Sequence, residues 1–256
     1  MKLEQRALRF HARGHALIGI VDVPERPLAR GMLILADSTE TRSGSHRQFT
    51  LLSRLLAARG VAVMRFDRLG GGDSEGEAAQ QGLDDIGAAM KEFFIHVPEM
   101  KESVILAPGD AAACAALYAV GDARITGLAL LDPLLPPEAE VAGTGHRAAE
   151  ARLRYGPRSA ADRLLRRAAA FGRAASRAIG RDVPEPRGAP RLAGFGGRVL
   201  LVCAGAAAAG QDATRALDER HPRSRRVEIA HAGRDVRRGA WRDAVAFACA
   251  SWLGSW

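Results

Sequence analysis

The residues with the clearest chemical potential lie around a short apolar run that ends in a tight turn, within residues 104–117. A buried strand, a turn of small residues and an alanine-rich helix form the arrangement on which many enzymes present a nucleophilic side chain. The turn residue here is Gly109, which has no side chain for attack on a substrate. Asp110 follows it directly, and Cys114 comes one turn into the helix. The pattern therefore predicts the scaffold of an active site without its usual nucleophile.

Substitute residues for such a site lie nearby in the predicted fold. Asp110 is the candidate nucleophile, because carboxylates attack substrates in some hydrolases. His231, at the end of a predicted strand, is the candidate base, and Asp212 or Asp235 would orient its imidazole. The alternative role for Asp110 is to cap the helix that follows it. Cys114 is interpreted as a core residue, because cysteines in apolar surroundings behave as small hydrophobic residues.

A polar loop, residues 37–45, follows a continuous apolar run at residues 31–36. In acyl-transfer sites a loop at this place supplies a backbone N–H to the developing oxyanion, and carboxylates such as Asp37 and Glu40 would oppose that charge. We therefore interpret it as a polar surface loop, with Ser38 as a candidate binding residue. His46 and Arg47 are expected to start the next helix and to line the pocket wall. A catalytic role for His46 is the alternative.

Strand and helix patterns alternate along most of the chain, which predicts a mostly parallel sheet flanked by helices. An antiparallel pair is expected first, within residues 7–22, with a turn near residues 12–14. Helical periodicity follows at residues 46–59, 84–94 and 239–253, and further strands are predicted at 61–67, 126–132, 198–204 and 226–230. In such sheets function concentrates at the carboxyl ends of the strands.

Composition indicates an intracellular globular protein. The chain has 256 residues, of which 47% are hydrophobic, enough for a large single core. Its three cysteines are far apart and show no zinc-binding spacing, so we expect them to be reduced in a cytoplasmic protein. We expect neither a signal peptide nor a transmembrane segment. The sequence contains no metal or nucleotide motif, so no cofactor is expected.

The net charge of +8 is concentrated in one segment. Residues 147–191 contain twelve arginines and four acidic residues, and the strand signal is absent from 134–190. We expect residues 134–190 to form a helical, Arg-rich lid inserted into a core domain of residues 1–133 and 191–256. The arginines are interpreted as a solvated surface, with an anionic ligand or a membrane surface as alternatives. Nucleic acid is not an expected partner, because the segment has few aromatics and no recognition motif.

Three segments carry a resemblance to a known family. They are GSHRQFTLL at residues 44–52, RFDRLGGGDSEG at residues 65–76 and AWRDAV at residues 240–245. Together they resemble the exosortase-A-system-associated hydrolases, a bacterial family with the α/β-hydrolase fold, along nearly the whole chain. The resemblance implies a hydrolase that is encoded with exopolysaccharide and protein-sorting genes.

The family's catalytic positions fall on unsuitable residues of this chain. By the resemblance, the nucleophile falls at Gly109, the acid at Ala207 and the histidine at Arg234. Alanine cannot accept a hydrogen bond from imidazole, and arginine stays protonated and cannot act as a general base. Because a catalytic triad works as a unit, three losses at separate sites predict a non-catalytic member of an enzyme family.

The sequence thus favours an α/β-hydrolase-fold protein that binds a small-molecule or anionic ligand, or a protein partner of the exopolysaccharide system. Its candidate binding residues are Ser38, His46, Arg47, Asp110 and Arg234. The alternative is an active ester or thioester hydrolase with a displaced site formed by Asp110 and His231. A third hypothesis is a purely structural partner in a complex, with a filled pocket and an exposed apolar patch.

Overall fold

One β-sheet with helices on both faces organises the described part of the chain. The computed structural model describes residues 2–78, 82–133, 194–204, 221–229 and 239–256. In these residues the sheet has eight strands, in the order β1-β2-β4-β3-β5-β6-β7-β8. The strands are β1 (Leu3–Ala12), β2 (His15–Pro24), β3 (Arg30–Leu35), β4 (Val63–Phe66), β5 (Glu102–Pro108), β6 (Ile125–Leu131), β7 (Arg198–Ala204) and β8 (Ser224–Ile229). The helices are α1 (Gln48–Ala57), α2 (Asp84–His96), α3 (Ala111–Gly121) and α4 (Gly239–Leu253).

The first two strands form the antiparallel hairpin that the sequence predicts, although both are longer than expected. Arg13 and Gly14 make its turn with φ values of 51° and 81°, a left-handed conformation that costs glycine little. β2 then pairs antiparallel with β4. The remaining neighbouring pairs are parallel: β4 with β3, β3 with β5, β5 with β6, β6 with β7 and β7 with β8. Parallel strands need long crossover connections, and α1, α2 and α3 lie in the connections from β3 to β4, from β4 to β5 and from β5 to β6.

The two faces of the sheet have separate hydrophobic cores. Along β3, Met32 and Ile34 pack on one face, and Leu33 and Leu35 pack on the other. This alternation follows from the two-residue period of a strand. The α2 and α3 side chains cover the Leu33 face, and α1 and α4 cover the Met32 face. Because both faces are covered, a central strand such as β3 carries a continuous apolar run, as the sequence indicates.

The predicted elements are confirmed with small shifts at their ends. The strand expected at residues 226–230 is Ser224–Ile229, and the helix expected at residues 84–94 extends to His96. Cys203 and Cys249 are buried, and Cys114 is half-buried. Among the described residues, no helix combines the length and the apolar character needed to cross a membrane. The lid predicted at residues 134–190 lies outside the described residues.

Candidate functional site

The carboxyl ends of β3, β4, β5 and β6 bring four loops to one edge of the sheet. Leu35 of β3 pairs with Phe66 of β4, and Pro108 of β5 pairs with Leu131 of β6. The loops that follow these strands therefore start side by side. This edge is where parallel sheets bind ligands, so its polar side chains are the first candidates for a site.

Gly109 occupies the apex of the turn between β5 and α3. Its φ is +54°, and its N–H donates to the carbonyl oxygen of Leu131 at 3.0 Å. Among the described residues a side chain at this position would have room, because the nearest of their atoms to an ideal Cβ is Asp37 Oδ2 at 3.7 Å. The backbone thus has the strand–turn–helix geometry that the sequence predicts, with a glycine where a side chain would meet the substrate.

Asp110 is joined to the loop after β3 through Ser38. The Ser38 hydroxyl donates to Asp110 Oδ2 at 2.6 Å, and the Ser38 N–H donates to Asp110 Oδ1 at 3.2 Å. The alternative role of Asp110 as a helix cap is wrong, because its side chain makes no capping hydrogen bond at the start of α3. Its own φ and ψ of −74° and −19° are already helical, whereas a capping residue usually has extended angles.

The two acidic residues of the loop after β3 have different surroundings. Asp37 Oδ1 accepts hydrogen bonds from the Thr39 N–H at 2.9 Å and from the Thr39 hydroxyl at 2.8 Å. Its other oxygen is the one that faces Gly109. Glu40 instead accepts hydrogen bonds from the N–H and hydroxyl of Ser45. Of these two acidic residues, Asp37 lies beside the turn, whereas Glu40 is held by its own loop.

A buried carboxylate ties this loop to the glycine-rich loop after β4. Asp67 is 1% exposed and accepts hydrogen bonds from the Arg42 N–H at 2.6 Å and the Asp73 N–H at 3.0 Å. It also pairs with the Arg42 guanidinium, whose Nη2 donates to Asp73 at 2.6 Å. A Cβ at Gly72 would lie 2.3 Å from Asp67 Oδ2. Glycine is therefore required there for the loop to close over the carboxylate.

Arg42 is neutralised within this cluster. Burial lowers the pKa of its guanidinium, but the hydrogen bonds that it donates to Asp73 and Asp67 and the negative charges of these two carboxylates outweigh burial, so the pKa is raised above its ordinary value. Arg42 is therefore always charged and already paired with two acids. It holds the loops together and is not available for an anionic ligand.

His46 and Arg47 differ from their predicted arrangement. Both are exposed, with left-handed φ values of 53° and 62°. They belong to a short 3-10 turn, Ser45–Arg47, and α1 itself begins at Gln48. In the described part of the chain, Asp110 is hydrogen-bonded to Ser38, and no histidine bonds to either residue. The positions Ala207, His231 and Arg234 lie outside the described residues.

The residues of this edge that the structure describes do not form a metal centre. No group of three or more His, Cys, Asp or Glu among them is placed to hold an ion. The pairing of Ser38 with Asp110 was not predicted from the sequence. The available signal was the position of both residues just after neighbouring parallel strands.

Comparisons with solved structures identify the fold. The ferulic acid-bound Est1E of Butyrivibrio proteoclasticus superposes with a TM-score of 0.66 at 15% identity, over 97% of this chain and 100% of that one. An esterase of Pyrococcus furiosus gives a TM-score of 0.65 at 14% identity, over 98% and 92% of the two chains. The dienelactone hydrolase of Anabaena variabilis gives 0.64 at 12% identity, over 100% and 99%. The fold is that of the α/β-hydrolases.

Within the α/β-hydrolase fold, the comparisons do not reach a narrower family. No family model matches the chain, and no curated protein matches its sequence. Identities of 12–15% to the superposed structures show a shared fold and leave activity open. The resemblance of residues 44–52 to the exosortase-associated family therefore stays a prediction.

Proposed function

We propose that this chain is a non-catalytic protein with the α/β-hydrolase fold that binds a small molecule at the carboxyl edge of its sheet. The observation that carries the proposal is Gly109. It stands at the apex of the turn with φ +54°, where the fold presents its nucleophile. Without a side chain at this apex, the site lacks the group that would form an acyl-enzyme.

The charges around the turn support binding over turnover. Ester hydrolysis passes through an oxyanion, which needs hydrogen-bond donors and positive potential. Asp37 Oδ2 instead lies 3.7 Å from the Cβ position of Gly109, and the carboxylate of Asp110 follows in the chain. The Ser38 N–H and hydroxyl already donate to Asp110. These groups suit a neutral or cationic ligand with hydrogen-bond donors.

Other candidate contacts come from the sequence alone. Exposed His46 and Arg47 precede α1, and Arg234 is placed near the same edge by the resemblance. The resemblance also supports an accessory role in an exopolysaccharide system, with a protein partner of that system. The anionic ligand considered for residues 147–191 is a separate prediction about that segment. A cytoplasmic location is part of the same proposal.

Esterase assays on the purified chain test the proposal. A panel of p-nitrophenyl esters and acyl thioesters should be hydrolysed at the buffer rate by the parent, and by Asp110→Asn and His231→Ala variants. Asp110→Asn keeps the shape of the side chain and removes its charge, so it is the sharper probe of a carboxylate nucleophile. Parent activity that is lost in both variants would establish the displaced Asp110 and His231 site and overturn the proposal.

A Gly109→Ser variant tests whether only the nucleophile is missing, or whether the base and the oxyanion site are missing as well. The left-handed backbone should make this substitution cost about 1 kcal/mol of stability, while the free space around the Cβ avoids a clash. Gly109→Ala is the matched control, because it carries the same backbone cost without a hydroxyl. We expect both to unfold at the same denaturant concentration and neither to hydrolyse esters. Turnover by Gly109→Ser alone would show that an intact base and oxyanion site remain.

A further inference from the structure

A polar cavity lies at the opposite, amino-terminal edge of the sheet. Its volume is about 890 Å³, and its walls come from the beginnings of β6, β7 and β8 and the end of α4. It is remote from the conventional substrate edge of this fold. None of its lining side chains is acidic. The residues that matter chemically are Thr126, Arg198, Arg223, Arg225, Trp252 and Trp256.

Three arginines of the cavity lie on neighbouring strand ends. Val199, next to Arg198, pairs with Ser224, which lies between Arg223 and Arg225. Strand neighbours are about 4.8 Å apart, so these cationic side chains start close together. All three are exposed. Like charges at such spacing repel each other. A bound anion between them would therefore be stabilised by the positive charge of each of the three guanidinium groups.

These arginines have no acidic partner among the described residues. Arg223 donates to the Gly196 carbonyl oxygen at 3.0 Å, and the Arg198 guanidinium carbon lies 4.9 Å from the centre of a Trp256 ring. Arg30 differs, because it pairs with Glu102 and donates to the main-chain oxygen of Trp256 at 2.8 Å. The charge of Arg30 is therefore compensated, whereas the other three arginines have no acidic partner in the part of the chain that the structure describes.

Two buried donors at the same cavity also have no partner among the described residues. Thr126 Oγ1 and Trp256 Nε1 are buried and make no hydrogen bond in the part of the chain that the structure describes. A buried donor without an acceptor costs roughly 1–3 kcal/mol. An anionic oxygen in the cavity would satisfy such donors. The unpaired cations and the unpaired donors are independent observations, and both indicate an acceptor-rich anion.

We propose that this cavity binds a small molecule through a diphosphate group. Three guanidinium groups match a ligand with several negative charges better than a monoanion, and guanidinium forms paired hydrogen bonds with phosphate oxygens. The edge-to-face pair of Trp252 and Trp256, with ring centres 5.7 Å apart, forms an apolar part of the cavity wall. The site is independent of the Gly109 turn.

Titration with inorganic pyrophosphate tests the site. Isothermal calorimetry should give one site per chain, weaker binding of orthophosphate, and affinity that falls with ionic strength. Arg198→Gln and Arg223→Gln should each weaken pyrophosphate binding by about tenfold. The matched control is Arg59→Gln, because Arg59 is also exposed and its side chain also donates to a main-chain carbonyl, that of Leu55. The proposal would be overturned if Arg59→Gln lost as much pyrophosphate affinity as the cavity variants, or if the parent did not bind pyrophosphate.

Thr126→Val gives a result that a merely structural role would not give. The exchange replaces a hydroxyl that has no hydrogen-bond partner among the described residues by a methyl group of similar shape. The urea midpoint should therefore stay the same or rise, while pyrophosphate affinity falls by about tenfold. A lower midpoint with unchanged affinity would show that Thr126 is structural and would count against the site.

The source of the diphosphate is distinguished by two further probes. Adenosine diphosphate in solution tests a free metabolite, and vesicles that carry a lipid diphosphate test a headgroup. Binding of either probe that is lost in Arg223→Gln supports the site and identifies the source. Failure of both probes would overturn the assignment. Neither result bears on ester hydrolysis, so this proposal and the non-catalytic function can fail separately.

Discussion

Replacing Asp67 by alanine should destabilise the protein strongly, because this carboxylate is buried and holds two loops. Breaking a buried ion pair by removing one partner costs about 3–5 kcal/mol, since the remaining charge is left uncompensated. The side chain of Arg42 is 22% exposed and keeps Asp73 as a partner, which places the cost at the low end, about 3 kcal/mol. For a chain of this size that is a fall in melting temperature of about 6–12 °C.

Asp73→Ala is the matched control, because Asp73 pairs with the same guanidinium from the surface. Its side chain is 69% exposed, so its loss should cost less than about 1 kcal/mol. Urea unfolding, followed by circular dichroism, gives the unfolding midpoint of each variant and of the parent. A shift of the midpoint reports a change in stability when the dependence of the unfolding free energy on urea concentration is the same for all three proteins. If Asp67→Ala unfolds at the same urea concentration as Asp73→Ala, the buried carboxylate does not hold the loops together as argued.

Three further predictions concern ionisable groups. Burial and the hydrogen bond to Asp122 raise the pKa of Tyr118 to about 12. Stability should therefore fall between the ordinary tyrosine pKa, about 10, and 12, and Asp122→Asn should bring phenolate absorbance to lower pH. The Arg124 hydrogen bond lowers the pKa of Asp122 to about 2. Its stabilisation should be complete above pH about 4, decline towards pH 2 and be smaller in Arg124→Gln, in which the hydrogen bonds from the Tyr118 hydroxyl and the residue 124 N–H remain, as acid titrations of unfolding would show. Burial raises the pKa of Cys249 to about 12, so at mildly alkaline pH a thiol reagent should modify it only after unfolding. Fast modification of native protein that disappears in Cys249→Ala would contradict its burial.

The strands and helices could be predicted because each has a local signal. The run at residues 31–36 is apolar without interruption, since β3 is covered on both faces. The period of α1 appears as buried Phe49, Leu52 and Leu56. The ends of β8 have a weaker signal in the sequence, because this strand is only partly buried and its charged residues interrupt the apolar pattern.

The polar contacts were harder to predict, because they join distant parts of the chain. Ser38 and Asp110 are 72 positions apart, and Arg42 and Asp67 are 25 apart. Sequence spacing says nothing about such pairs until the order of the strands is known. His46 was expected to begin α1, but its left-handed φ of 53° places it before the helix. A single turn of this kind leaves no periodic pattern.

The parallel strands also separate the two edges by a fixed length. β6 has seven residues, which corresponds to about 23 Å at 3.3 Å per residue. Substitutions at Gly109 and at Thr126 should therefore act additively, because sites this far apart share no contacts. In evolutionary terms, one end of the molecule can accumulate changes while selection preserves the other. A scaffold that has lost its reaction at one end can in this way retain, or acquire, a different ligand at the other.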